Sequence, residues 1–229
     1  CNELIAALRR NGWDVGTLPA GHAFAVALPD TVPQFERINA GLVRRINYYE
    51  RRLHRAGKPD IVRYGGSGGS DWELILSRVA AIEQNSWVAK NNGTMLFAIP
   101  TARRFWDKVL SDEFLSSCVT IWLLYLDGHP VSFSCGLDIG SVKFILANLY
   151  DEAFKTYSCG SVLTRHVLTG AIEGGQRRVD WGKGDSGYKQ LWHAEPAHAL
   201  TDVVALPPRR PTRAIVKAML RWRAGYVFS

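Results

Sequence analysis

Residues 180–192, Asp-Trp-Gly-Lys-Gly-Asp-Ser-Gly-Tyr-Lys-Gln-Leu-Trp, concentrate groups that can exchange protons or hold charge. Asp185, Tyr188 and Lys189 stand at i, i+3 and i+4, so a helix beginning after Gly184 would set a carboxylate, a phenol and an ammonium on one face. Asp180 lies between Val179 and Trp181, and on a strand its side chain points opposite to theirs. Both carboxylates carry two readings. Asp185 is a base or amine anchor, or else a helix cap paired with Lys189. Asp180 is a site-facing group or a paired core residue.

The elements around this stretch are those that could hold an anionic ligand against it. A strand ending at Asn148-Leu-Tyr-Asp151 leads into Tyr157-Ser-Cys-Gly-Ser161, whose small residues open a helix running to Glu173. Arg178 to Gly182 then reads as another strand. A helix N-terminus beside two strand ends offers backbone N–H groups and the positive end of a helix dipole.

Upstream, Leu4, Ile5 and Leu8 mark a helix and Phe24 to Leu28 a short strand, with Gly12 and Gly16 in the turn between them. Phe35, Ile38, Leu42, Ile46, Tyr49 and Leu53 recur at three and four, which predicts one long helix with arginines outward. A short strand follows at Ile61 to Tyr64. Gly65-Gly-Ser-Gly-Gly-Ser70 lacks the Gly-Lys-Ser/Thr of a phosphate loop and reads as a flexible seam. Asp71 caps a helix to about Lys90, and a second helix covers Thr101 to Ser116. Val119 to Leu126, Asp127-Gly128 and Val131 to Leu137 form a hairpin, extended by Val142 to Tyr150 into a three-strand meander. Asp202 to Leu206 is a last strand, and Thr212 to Arg223 a basic helix. Two helices, a meander, a helix and more strands give an α+β domain with a mixed sheet.

The chain has 229 residues, 47% of them hydrophobic, enough for one large domain or one domain and part of another. It opens on Cys1 inside a helix, so residues are expected to precede it. No apolar run approaches the roughly 20 residues of a membrane span, and no signal peptide is seen, which predicts a cytoplasmic protein. The four cysteines, Cys1, Cys118, Cys135 and Cys159, show neither a Cys-x-x-Cys pair nor histidines at ligand spacing, so free thiols and no metal are expected. The net charge is +7, but residues 36–63 and 207–229 together carry +11 and the remainder −4. The positive charge therefore sits apart from the ionisable cluster. It forms either the solvated faces of two helices or a surface for a polyanion.

Several of these pieces together resemble the GNAT superfamily, in the subgroup of the CelD (cellulose biosynthesis) or BioF2-like type related to the Fem-like aminoacyl transferases. They are the helix ending Tyr49-Glu-Arg-Arg-Leu53, the Tyr125-Leu-Asp-Gly-His-Pro-Val131 hairpin, Tyr150-Asp151 with Tyr157-Ser-x-Gly160, and Asp180 with Gly184-Asp-x-x-Tyr-Lys-x-x-Trp192. The resemblance implies a mixed, mostly antiparallel sheet flanked by helices. It also implies tandem GNAT-like halves: residues 1–34 as the tail of a first half, 35–59 as a basic connecting helix, 60–206 as the acyltransferase domain and 207–229 as a basic C-terminal helix.

By the same resemblance the activity is N-acyl transfer from acyl-CoA or acetyl-CoA to a small-molecule or glycan-precursor amine. An aminoacyl-tRNA donor and a catalytically degenerate binding module are the alternatives, and tRNA or a phosphorylated substrate would meet the basic helix 36–58. The donor would lie between two strands, with Tyr150, Tyr157, Ser158, Cys159, Gly160 and Ser161 around it. Asp185 would serve as base or amine anchor, Tyr188 as proton donor to the leaving thiolate and Lys189 as an electrostatic clamp, with Asp180 beside them. Trp87, Asp151, Lys183 and Trp192 would line the acceptor side. At the helix start the chain has Tyr157-Ser-Cys-Gly-Ser-Val162 where acetyl-CoA users resemble Gln/Arg-x-x-Gly-x-Gly/Ala. Cys159 as a nucleophile, with a thiolate stabilised at the helix start, is a minor alternative.

Overall fold

Side-chain alternation along residues 119–150, interrupted by register shifts between Leu124 and Tyr125 and between Cys135 and Gly136, sets two faces of a sheet, and both faces are then covered by helices. The computed structural model describes residues 2–65, 71–91, 93–184, 187–208, 213–224 and 227–228. In chain order these form α1 (Asn2–Arg10), β1 (Asp14–Ala27), α2 (Val32–Ile38), α3 (Ala40–Ala56), β2 (Pro59–Gly65), α4 (Trp72–Gln84), α5 (Trp87–Lys90), α6 (Pro100–Ser111) and α7 (Glu113–Cys118). The meander β3 (Val119–Leu126), β4 (His129–Ile139) and β5 (Val142–Tyr150) follows, then α8 (Cys159–Glu173), β6 (Arg178–Lys183), β7 (Glu195–Leu206), α9 (Arg213–Ala224) and β8 (Val227–Phe228).

The residues gather into two units, one of Cys1–Phe24, Lys183–Ser186 and Pro196–Ser229, the other of Ala25–Gly182 and Gly187–Glu195. In the larger unit β2, β3, β4, β5 and β6 lie side by side, antiparallel except for the parallel pair β5 and β6. Val119, Ile121, Leu123, Tyr125, Phe133, Cys135 and Leu149 point to one face and close a core with Ile75, Leu76, Val79 and Ile82 of α4, together with Phe97 and Trp106. Each such side chain contributes roughly 1.5–3 kcal/mol by leaving water. The opposite face carries Thr120, Trp122 and Asn148 and is covered by α8. A Cβ on Gly170 of that helix would lie 2.6 Å from the Trp122 indole, so only glycine lets the two pack. The β3–β4 turn uses Asp127 and Gly128, both at positive φ as a tight right-twisted hairpin requires.

In the smaller unit Asn11 ends α1, its Nδ2 donating to Ala7 O at 2.8 Å, and β1 pairs with β8 through Gly16 and Thr17. Lys217 on α9 lies 3.4 Å from Asp14. Among the described residues no helix is long and apolar enough to cross a membrane.

Several elements depart from the periodicity. The expected single helix from Phe35 to Leu53 breaks at Asn39, whose Nδ2 and backbone N–H both donate to Phe35 O, at 2.9 and 3.0 Å. The helix expected to reach Lys90 stops where Ser86 Oγ bonds Glu83 O and caps Val88 N. The helix expected over 101–116 restarts at Asp112, whose carboxylate accepts from Leu115 N at 2.8 Å. Gly16 lies within β1 and not in a turn, and β1 and β7 are longer than expected. The Gly/Ser seam from Gly66 to Ser70, and Cys1, lie outside the described residues.

One buried charge ties the helical layer together. Glu83, 1% exposed at the end of α4, accepts from the backbone N–H groups of Leu96, Phe97 and Ala98 at 2.7, 2.8 and 2.8 Å. It fixes the segment that delivers Phe97 to the core. Charge-assisted bonds of this kind are worth about 1.5–3 kcal/mol each. Glu83→Gln keeps the shape but halves the acceptor capacity, and urea denaturation is expected to report a loss of about 2–4 kcal/mol.

Candidate functional site

The parallel ladder between β5 and β6 is short. It pairs Val142 with Arg178, Lys143 with Val179 and Phe144 with Asp180, and then ends. Beyond it Ala147 to Tyr150 pair on with β4 alone, and at that departure the β4–β5 register slips between Cys135 and Gly136, leaving Leu146 without a β4 partner and 44% exposed. A bulge turns the strand at this point. The C-terminal part of β5 and the end of β6 are thus two strand ends without a ladder between them, and α8 begins just after the first.

The start of α8 is built from β5 and α3. Thr164 Oγ1 donates to Gly160 O at 2.7 Å and accepts from Asn148 Nδ2 at 2.6 Å, which moors the first turn of the helix to β5. A Cβ on Gly160 would come within 3.2 Å of the Tyr150 ring and 3.9 Å of Asn148 Oδ1, so the glycine sits against both. Tyr150 is held above the ordinary phenol range by partial burial and then by Glu152. Ser158, at φ 51°, makes the left-handed step from a short 3-10 helix (Glu152–Tyr157) into α8. Arg52 of α3 reaches this turn, donating to Thr156 O at 2.9 Å with its guanidinium 5.4 Å from the centre of the Tyr157 ring. Asp151 is buried and caps the 3-10 helix through Ala153 N at 2.8 Å.

Cys159 is fully buried, and burial pushes its thiol up to about 12. Its Sγ contacts Phe154 O at 3.7 Å. The alternative of a stabilised thiolate at this position is therefore corrected: burial outweighs the backbone N–H that would favour the thiolate.

On β6, Asp180 is buried and its Oδ1 accepts from Gly182 N at 2.7 Å. Lys189, also buried, donates to Trp181 O at 3.0 Å and Gly182 O at 3.3 Å, so its ammonium holds the end of β6. Burial pushes Tyr188 up to about 12, leaving it a neutral phenol throughout the physiological range. Asp185 lies outside the described residues. Tyr188 and Lys189 stand in a turn before a 3-10 helix, Gln190–Trp192, and the face they were expected to share with Asp185 lies outside the described residues. Trp192 is buried and stacked on Phe35 at 6.0 Å, Trp87 is half-exposed on α5, and Lys183 is exposed. Among the described residues, Asn148 Oδ1 on β5, an acceptor, and Trp181 Nε1 on β6, a donor, are buried without a hydrogen-bond partner, as are Asn39 Oδ1 and Trp122 Nε1 elsewhere.

A second cluster lies between α3 and α8. Arg165 bonds Asn47 Oδ1 at 2.6 Å, Glu36 Oε1 at 2.5 Å and Glu50 Oε2 at 3.3 Å, and His166 Nε2 meets Glu50 Oε1 at 3.1 Å. The His166 hydrogen bond, opposed by burial and aided by Arg165, holds Glu50 below the ordinary carboxylate range. Glu50 and His166 border a cavity of about 280 Å³ with Leu53, Ile61, Leu124 and Val162. Sequence reasoning missed this cluster and the role of Asn148. Only the period-2 alternation that puts Asn148 and Tyr150 on one face of β5 could have found the latter. Among the described residues no group of three or more metal-binding side chains is placed to hold an ion.

Residues 41–190 match the family described as acetyltransferase (GNAT) domain. The fold is similar to that of L-PGS from Bacillus licheniformis, at 13% identity and TM-score 0.53, covering 97% of this chain and 70% of that one. It is similar to FemX, at 10% identity and TM-score 0.56, covering 84% and 65%. A conserved protein of unknown function from Bacteroides thetaiotaomicron is similar at 12% identity and TM-score 0.52, covering 90% and 67%. These likenesses bear on the fold. No curated protein sequence matches the chain.

Two outcomes follow from the geometry. Native Cys159 should resist iodoacetamide at pH 8, and Cys159→Ala should retain turnover within about twofold, since a buried neutral thiol is a poor nucleophile. Glu50, whose folded pKa is lowered, adds stability that is fully present above the unfolded value near 4.5 and lost as pH falls through the folded value. The melting-temperature gap between the native chain and Glu50→Gln should therefore shrink between pH 5 and pH 3, as followed by circular dichroism.

Proposed function

Because the chain belongs to the acetyltransferase (GNAT) domain family, we propose that it moves an acyl group from acyl-CoA or acetyl-CoA to an amine of a small-molecule or glycan-precursor acceptor. The observation that carries this reading is the end of the β5–β6 ladder after three pairs, beside the first turn of α8. An acyl thioester arm laid between the two strands would find one acceptor, Asn148 Oδ1, and one donor, Trp181 Nε1, that the protein leaves unmatched. The amides of a CoA arm supply the complement of each. The helix start then receives the phosphates, with Arg52 adding positive charge at Thr156 and Tyr157.

In the reaction the acceptor amine attacks the thioester carbonyl, a C–N bond forms and the C–S bond breaks. A carboxylate, Asp185 or Asp180, anchors the amine and takes its proton. Tyr188, kept protonated by burial, gives its proton to the departing thiolate. Lys189 acts on the site through β6, since its ammonium fixes the carbonyls of Trp181 and Gly182. Asp151, Trp87, Lys183 and Trp192 bound the acceptor side, and residues 1–34 are the tail of another GNAT-like half.

A second reading, transfer of an aminoacyl group from tRNA, is favoured by one feature. Arg44, Arg45, Arg51 and Arg55 are exposed along α3, and none pairs with a carboxylate among the described residues. Such a row suits a polyanion, and FemX, a Fem-type protein by name, shares the fold.

Thermal shift separates the readings. Acetyl-CoA, a longer acyl-CoA or CoA should raise the melting temperature, because a ligand that binds only the folded state stabilises it. No shift with any of the three would sink the CoA version. A tRNA complex that weakens steeply as salt rises would then support the second reading. With the donor identified, Tyr188→Phe should lower turnover about 100-fold or more while donor affinity holds. Unchanged turnover would move the proton donor elsewhere.

A further inference from the structure

Helix α3 carries an exposed aromatic ring in the middle of its basic stripe. Tyr48 is 50% exposed. At about 100° per residue, Arg44, Arg45, Arg51, Arg52 and Arg55 all fall within about 60° of it around the helix. Gly41 is the remaining α3 residue in that arc, so no acidic or aliphatic side chain shares it. The ring is tied to the candidate site through Arg52, whose guanidinium lies 5.9 Å from the centre of the Tyr48 ring and 5.4 Å from that of Tyr157. Arg52 also donates to Thr156 O at 2.9 Å, which pins it to the turn that opens α8. Tyr49 meets Tyr48 edge-on, with ring centres 5.5 Å apart. Tyr48 is thus held beside the helix start by Arg52 and Tyr49 while half of it stays in solvent.

We propose that Tyr48 is the stacking platform for the nucleoside base of the acyl donor, with the donor's phosphates running from the arginine stripe to the first turn of α8. The assignment deepens the transferase reading and rests on it for where the donor lies. It holds for either donor, because CoA carries an adenosine bisphosphate and the acceptor end of an aminoacyl-tRNA is an adenosine phosphate. The residue pattern selects a nucleotide. A planar ring among arginines gives a base a π-face and gives its phosphates cations, the combination that binds single-stranded nucleic acid. An acidic or phosphorylated group alone would take the arginines and leave the ring unused. A lipid surface would need aliphatic side chains in the same arc, and the arc has none.

The test is calorimetric titration of the whole chain with adenosine bisphosphate, with pyrophosphate as its base-free counterpart, and with a short RNA ending in cytidine, cytidine and adenosine. The nucleotide should bind about fivefold or more tighter than pyrophosphate, and its adenine proton resonances should move upfield, as they do over an aromatic ring. Tyr48→Ala should weaken the nucleotide by about fivefold to a hundredfold, leave pyrophosphate within about twofold and erase the upfield shift. Tyr48→Trp should restore both the affinity and the shift. Phe105→Ala, which removes a comparably exposed ring on α6, should change neither. Circular dichroism and melting temperature check that each variant folds, and Tyr48→Leu replaces Tyr48→Ala if it does not. Tighter binding of the RNA with a steep loss as salt rises assigns the platform to tRNA, and tighter binding of CoA assigns it to CoA. Unchanged nucleotide affinity in Tyr48→Ala overturns the proposal, and the transferase reading survives it as long as acetyl-CoA raises the melting temperature. An equal loss for nucleotide and pyrophosphate also overturns it, since that reports a displaced Arg52 and no stacked base. Binding of neither nucleotide, acetyl-CoA nor RNA overturns both.

Discussion

The parallel pairing of β5 with β6 constrains everything near the candidate site. Antiparallel neighbours can be joined by a two-residue turn, as β3 and β4 are, but a parallel neighbour requires the chain to cross back over the sheet. Here α8 makes that crossing. Its N-terminus must therefore lie beyond the C-terminal end of β5, the end where the ladder with β6 has stopped. Helix dipole, strand ends and unmatched polar atoms are brought together by topology, with no need for any one of them to attract the others.

The two faces of the sheet do different work. Beneath α4 and α6 the core is almost wholly apolar, and its buried carboxylate, Glu83, accepts from three backbone N–H groups. Beneath α8 lie Thr120, Ser132, Ser134 and Lys143, all buried, and the helix itself adds the buried Thr164. Lys143 shows the cost of this arrangement. Burial lowers its pKa despite Asp138 at 2.6 Å, and Thr120 Oγ1 accepts a second bond at 2.9 Å. A face this polar is held by specific hydrogen bonds more than by area, which fixes the position of α8 closely.

The meander, its Asp-Gly turn and α8 could be read from the sequence because alternation, turn chemistry and helical period all change at the same residues. The helix breaks could not. At Asn39, Ser86 and Asp112 the apolar period runs on while a short polar side chain bonds the local backbone and redirects it. The α3–α8 cluster was hidden for another reason. Arg165 meets partners 115 to 129 residues away, and no local pattern encodes such a pairing. Within the candidate site, Tyr188 and Lys189 were visible as residue types, but their placement in a turn depends on Lys189 reaching back to β6.

The turn at 157–162 departs from the acetyl-CoA pattern at its first and last positions, and the structure changes the weight of both. Val162, standing where that pattern has glycine or alanine, is 1% exposed and borders the cavity shared with Glu50 and Leu53, so its bulk lies behind the helix start. It narrows nothing on the outer side, where Gly160 keeps the close approach to Tyr150. Tyr157, standing where the pattern has arginine or glutamine, carries the Arg52 guanidinium over its ring. The cation absent from the turn's own sequence is thus present in space, supplied by α3. A motif read along the chain registers two losses here, whereas the packing registers one relocation and one change on the buried side.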